Sequence, residues 1–194
     1  MVPIILVTGF KPYSIFKRNP SGEIAELLNG SYFKGIEVVG LALEVKHSEI
    51  EKRFRQELER GYDIIINTGL SPGRSVIGIE KIAVNWQGDS KDEEGKLSKP
   101  GRIIEEAPDG MFSRLPVEDI LHSLRSSKIP SEISFSAGTF LCNKIFFYSL
   151  YYSSARAGFI HFPVDSESSL DGKYPTMIID FMIKSVEMAI QKTI

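Results

Sequence analysis

Short apolar runs alternate with amphipathic stretches along the chain. Ile4 to Thr8 is continuously apolar and ends at Gly9, the mark of a strand buried on both faces. Asn19-Pro20-Ser21 reads as a helix start, with Asn19 as N-cap and Pro20 at the first helical position. The helix is predicted to run to about Leu28 and stop before Gly30. Ile36 to Val45 reads as a second strand. Ser48-Glu49-Ile50-Glu51 has the form of a capping box, Ile50, Phe54 and Leu58 follow on one helical face, and Gly61 supplies the stop. Asp63 to Thr68 is a further buried strand, and Val76 to Trp86 is predicted to be strand as well. Gln87 to Pro108 is polar, charged and dotted with Gly and Pro; it is expected to be a long surface loop or hairpin near a site rather than an interdomain linker. Val117, Ile120, Leu121 and Leu124 mark a helix behind Pro116. Ile133 to Ser136 is a short strand, Cys142 to about Ser154 a helix, and Phe159 to Phe162 a strand. Thr176 to Lys192 closes the chain as a helix with Ile179, Met182, Val186 and Ile190 on one face.

Strands alternating with helices predict an open, mostly parallel α/β sheet covered on both faces, in a single domain over residues 1–194. Composition narrows the picture. The chain has 194 residues, 42% of them hydrophobic, sufficient for a substantial core. A formal net charge of -2 gives no reason to expect nucleic acid or an anionic membrane as partner. One cysteine excludes an intrachain disulfide framework and a multi-cysteine metal site, and fits a reducing compartment. The start, MVPIILVTGF, reads as a first strand rather than a signal peptide, and no apolar run reaches the roughly 20 residues that span a bilayer. A soluble, cytoplasmic protein is expected.

In such folds ligands bind beyond the carboxyl ends of strands, which here lead into TGFKPYSIF, TGLSPGR, AGTFLC and His161. Cys142 falls at the first turn of a predicted helix. Unpaired N–H groups and the partial positive charge there favour a thiolate, so a lowered thiol pKa is expected. The alternative is an inert packed thiol. His161, in AGFIHFP, is either a core histidine bonded to backbone or a general base for Cys142. Glu80 lies in an apolar run and needs a partner: a salt bridge to Arg74, or the second N–H of that imidazole. His122 is expected at the surface, and His47 in a turn ahead of the capping box.

These residues sit in segments that resemble the pyroglutamyl peptidase I family, cysteine peptidase family C15. The segments are VTGFKPY with NPS, GLSPGR, IEKIAVN, SAGTFLCN and AGFIHFP, in the family's order over nearly the whole chain. The resemblance implies a three-layer α/β/α sandwich and a triad with Cys142 as nucleophile, His161 as general base and acid, and Glu80 as orienting carboxylate. It implies hydrolysis of the amide bond after an N-terminal pyroglutamyl residue through a thioester, without metal or organic cofactor, in a homotetramer. Phe10, Tyr13, Asn19, Leu70, Phe140 and Leu141 match positions at or beside the family's lactam pocket. Departures are Tyr13 for a phenylalanine, Ser14 and Ile15 for two glycines, and Ser90 where many members carry an arginine that faces the site, with Lys91 as a substitute point charge. A relative that binds lactam-capped peptides without cleaving them is the alternative reading.

Overall fold

The computed structural model describes residues 3–194, so the first two residues of the apolar N-terminal run lie outside it. In chain order the elements are β1 (Ile4–Phe10), α1 (Pro20–Leu28), β2 (Tyr32–Phe33), β3 (Ile36–Leu43) and a helical segment α2 over 47–58. Then follow β4 (Ile64–Leu70), β5 (Ile77–Glu80), β6 (Ile82–Val84), β7 (Gly110–Phe112), α3 (Val117–Ser126) and β8 (Ser131–Ser134). The chain ends with α4 (Leu141–Tyr152), β9 (Arg156–Phe162), β10 (Val164–Asp165), β11 (Thr176–Met177) and α5 (Ile179–Thr193).

Seven strands form one sheet in the order β2-β3-β1-β4-β9-β5-β8. β3, β1, β4 and β9 run parallel, while β5 is antiparallel to β9 and parallel to β8. Period-two alternation assigns the two faces. Ile5, Val7, Ile64, Ile66, Ile160 and Phe162 pack with α1, α3 and α5. Leu6, Ile65 and Phe159 point the other way, onto α2 and α4. Both faces are therefore apolar and covered, which gives the three-layer α/β/α arrangement.

Three local expectations are corrected. The predicted strand Val76 to Trp86 breaks at Lys81: β5 stays in the main sheet, while β6 pairs with β7 in a separate ribbon. The bend is fixed where Lys81 N donates to Ser134 O and Ser113 N donates to Lys81 O. The capping box at Ser48 does not form. The helix begins at His47, and its backbone N–H is capped from a distance by Asp92 Oδ2 at 2.9 Å. A wider π-type turn over Ile50–Phe54 follows. The closing helix starts at Ile179, because Thr176 and Met177 pair with Val164 and Asp165 instead.

Candidate active site

Helix α4 opens immediately after a turn in which Gly138 has φ 76, a left-handed conformation that suits glycine. Phe140 is extended at the N-cap position, Leu141 and Cys142 are the first two helical residues, and no side chain caps this end. The N–H groups of the first turn therefore converge beside Cys142. The sulfur lies inward over β4: a Cβ added to Gly69 would stand 2.8 Å from Cys142 Sγ and 2.8 Å from the ring of Phe159. Only glycine leaves that space.

Gly69 is also the register partner of His161 on β9. The thiol and the imidazole thus occupy one face above adjacent strands. On the other side of β9, His161 pairs with Gly78, and Glu80 lies two residues further along β5. Glu80 reaches back diagonally, so His161 Nδ1 donates to Glu80 Oε1 at 2.7 Å. β5 and β8 run against β9, so Glu80, the last residue of β5, approaches His161 from a strand of opposite direction. The groups meet because β5 is four residues long and the offset is one diagonal.

Both partners foreseen for Glu80 are present, on one oxygen. Arg74 Nη2 donates to the same Oε1 at 2.9 Å and also to Ser134 Oγ. Gly78 makes room for this guanidinium, since a Cβ there would lie 2.2 Å from Arg74 Nη1. Glu80 Oε2 is buried with no hydrogen-bond partner among the described residues, so the carboxylate is satisfied through Oε1.

Electrostatics correct one expectation. Burial first, and the Glu80 charge second, push the Cys142 thiol up to about 12. The helix start does not overcome them. Burial lowers the pKa of His161 against the opposing pull of Glu80, and Arg74 lowers it further. Both shifts favour a neutral thiol and a neutral imidazole in the free protein. With its Nδ1 proton held by Glu80, His161 presents an unprotonated Nε2.

Phe10, Tyr13, Asn19, Leu70, Phe140 and Leu141 all line one cavity that ends at Cys142. Val45 completes the lining; it had been read only as the end of a strand. The free space in the cavity is about 30 Å³, enough for a water by the roughly 10–15 Å³ that one requires. Asn19 serves two ends: its Oδ1 accepts from Ser21 N as the α1 cap, and its Nδ2 donates to Lys11 O. Burial, then the nearby Cys142 and Glu93, raise the Tyr13 phenol to about 12, keeping it a neutral donor.

Gln87 to Pro108 folds as a hairpin-like loop against this site. Gly88 N donates to Thr139 O, and Glu93 Oε1 accepts from Ser14 N at 3.0 Å. Ser14 has φ 55, a left-handed conformation that favours glycine, so this position keeps a glycine-like turn although it carries a side chain. Lys91 is exposed and does not line the cavity, so it does not stand in for a site-facing arginine. Two supporting residues escaped the sequence reading. Asn143 bonds Val84 N, Val84 O and Trp86 O, and Asn85 bonds both the N–H and the O of Ile104. An asparagine directly after the cysteine, and one closing IEKIAVN, were the available signals. His47 is buried rather than in an open turn; its ring meets Phe140 edge-on at 5.6 Å, and both ring nitrogens lack partners among the described residues.

A family model described as pyroglutamyl peptidase matches residues 4–194. A pyrrolidone-carboxylate peptidase of Pyrococcus furiosus is 38% identical over 201 residues, with 96% of each chain covered. One from Lactobacillus helveticus is 34% identical over 194 residues, again with 96% of each covered. Among solved structures, a mutant pyrrolidone carboxyl peptidase from Pyrococcus furiosus has a TM-score of 0.93 at 37% identity, covering 97% of each chain. The pyrrolidone carboxyl peptidase of Thermococcus litoralis has a TM-score of 0.89 at 34% identity, covering 98% of this chain and 93% of its own. The chain belongs to the pyroglutamyl peptidase family.

Proposed function

We propose that the protein is a cysteine peptidase that removes an N-terminal pyroglutamyl residue from peptides. The observation that carries this reading is the apolar cavity ending at Cys142, walled by Phe10, Tyr13, Leu70, Phe140 and Leu141. A pyroglutamyl ring is flat and carries no ammonium group, so it suits a wall without a charged side chain.

Cys142 Sγ attacks the pyroglutamyl carbonyl carbon as its proton passes to His161 Nε2. The oxyanion faces the open N–H groups at the start of α4. Glu80 holds Nδ1–H and stabilises the imidazolium that forms. The imidazolium then gives its proton to the leaving amine nitrogen, the C–N bond breaks, and a thioester remains. His161 next takes a proton from water, the hydroxyl adds to the thioester, and pyroglutamate leaves as the thiol regains its proton.

Tyr13 and Phe140 border the cavity, so small shifts of these side chains fit it to the ring. Tyr13 sits on the loop tethered by Glu93, which makes this loop the element that yields. Residues 1–194 act as one domain in this reading. A self-associated form, a tetramer, is part of it, with exposed Phe112 and Phe135 as apolar surface for a second copy; a monomeric sedimentation profile would remove that part. Among the described residues no helix is long and apolar enough to cross a membrane.

The test is hydrolysis of a fluorogenic pyroglutamyl amide. Release by wild type, none by Cys142→Ala and none from the corresponding prolyl amide, whose ring carries an ammonium, is the expected pattern. Activity that survives Cys142→Ala would refute the mechanism.

A further inference from the structure

Beside the catalytic pocket lies a larger groove of about 450 Å³, formed by residues 15–18 after β1 and 167–174 after β10. An aromatic ladder joins the two. Tyr13 lines the Cys142 cavity, its ring stands 6.1 Å from Phe16, and Phe16 stands 5.4 Å from Tyr174 in the groove. The second wall of the groove follows directly on the segment that continues from His161 through Phe162 and Pro163 into β10.

The two walls are tied together at the base. Arg18 bonds Glu23 at 2.7 Å and Glu167, and lies 3.6 Å from the buried Asp165. Asp165 in turn accepts from Glu167 N at 3.1 Å. Arg18 thereby links the loop bearing Tyr13 to the strand leading from His161. Ser169 Oγ accepts from Tyr174 N at 3.1 Å and sets the turn that presents the ring. Arg18, Glu23 and Glu167 are thus paired with one another; Lys17 and Lys173 also border the groove, with Lys173 Nζ 5.5 Å from the Tyr174 ring, and Ile15, Phe16 and Tyr174 offer the apolar surface.

We infer that this groove receives the leaving peptide, and that its chemistry selects a bulky apolar or aromatic residue directly after the pyroglutamyl ring. The inference rests on the peptidase reading. Once the ring occupies the cavity between Phe10, Tyr13 and Phe140, the scissile nitrogen must face His161, which protonates it. The chain beyond that nitrogen continues along the segment that leads away from His161. The groove is the space there, and aromatic rings accept an apolar side chain against their faces.

The experiment compares kcat/KM for pyroglutamyl-phenylalanine amide and pyroglutamyl-glycine amide. Wild type is expected to prefer the phenylalanine substrate by about tenfold, the effect of one well-packed aromatic anchor. Tyr174→Ala is expected to reduce that preference to about twofold, while Tyr174→Phe, which keeps the ring, retains it. Thermal melting of each variant checks that it is folded. Equal rates for the two substrates in wild type would overturn the inference without any variant. A Tyr174→Ala enzyme that slows on both substrates with an unchanged ratio would overturn it too. If wild type cleaves neither, the peptidase reading fails and the subsite falls with it.

Discussion

The two sides of the Cys142 cavity are built differently. On the sheet side, Glu80, His161 and Gly69 are placed by strand register, and Arg74 and Ser134 complete the polar contacts. Glu80 is wholly buried and His161 nearly so. On the loop side, Tyr13 is carried by a segment with a left-handed Ser14, held by an exposed bond from Ser14 N to Glu93. Register fixes a side chain as firmly as the sheet itself, whereas an exposed hydrogen bond contributes little and opens readily. The contrast teaches a division of labour: proton chemistry is preorganised on strands and a helix end, while the recognition wall is shared between Phe10 and Leu70 on strands and Tyr13 on a loop that can adjust.

That division can be broken from either side. The largest effect is expected from Glu80→Ala, which removes the anion that steadies the imidazolium and leaves Arg74 facing it. kcat is expected to fall on the order of 10³ to 10⁴ with KM little changed. Glu80→Gln keeps an oxygen that accepts from both Arg74 and Nδ1–H, so a smaller loss of roughly 10- to 100-fold in kcat would separate tautomer control from charge. Stopped or steady-state kinetics on a pyroglutamyl amide reads both.

Arg74→Met acts next. It leaves the buried Glu80 carboxylate without its cation, and denaturant unfolding is expected to show a loss of about 3 kcal/mol. Arg74 lowers the pKa of His161, so its removal is expected to move the acid limb of the rate profile upward. The sign for wild type follows from the same group. A histidine whose folded pKa is depressed is neutral in the native state and takes up a proton on unfolding. Its stabilisation is full above the unfolded value, about 6.5, and is lost as pH falls below it toward the folded value.

On the loop side, Glu93→Ala frees the Tyr13 segment. KM for the pyroglutamyl amide is expected to change by about threefold, with kcat nearly constant. A fall in kcat of the size seen for Glu80→Ala would erase the division. The smallest effect is on stability alone: His47→Phe removes two buried ring nitrogens that have no partner among the described residues, next to Phe140, and is expected to stabilise by about 1 kcal/mol in the same unfolding assay.

The sheet side was also the more legible in sequence. Buried strands announce themselves as runs such as Ile64 to Ile66, and the Asn19-Pro20 start of α1 carries a local cap that formed as read. What escaped depends on distant partners. Nothing near Ser48 reveals that Asp92 caps the helix from across the chain, so the local capping box was preferred. Nothing in VIGIEKIAVNW marks Lys81 as the residue where one ribbon leaves the sheet for another. The pocket-lining residues were named through family resemblance, and Val45, outside those motifs, was missed. The thiol's charge state was misjudged because a helix start is visible in sequence while burial and the position of Glu80 are not.

The resting state of that thiol is the point on which the account turns, and alkylation of Cys142 by iodoacetamide across pH measures it directly. A thiol held up to about 12 gives a rate that is slow at neutral pH and still climbs with each step above about pH 8. A rate already at its plateau near about pH 6 would reveal a thiolate–imidazolium pair in the free protein and contradict the neutral pair on which the proposed proton transfer depends.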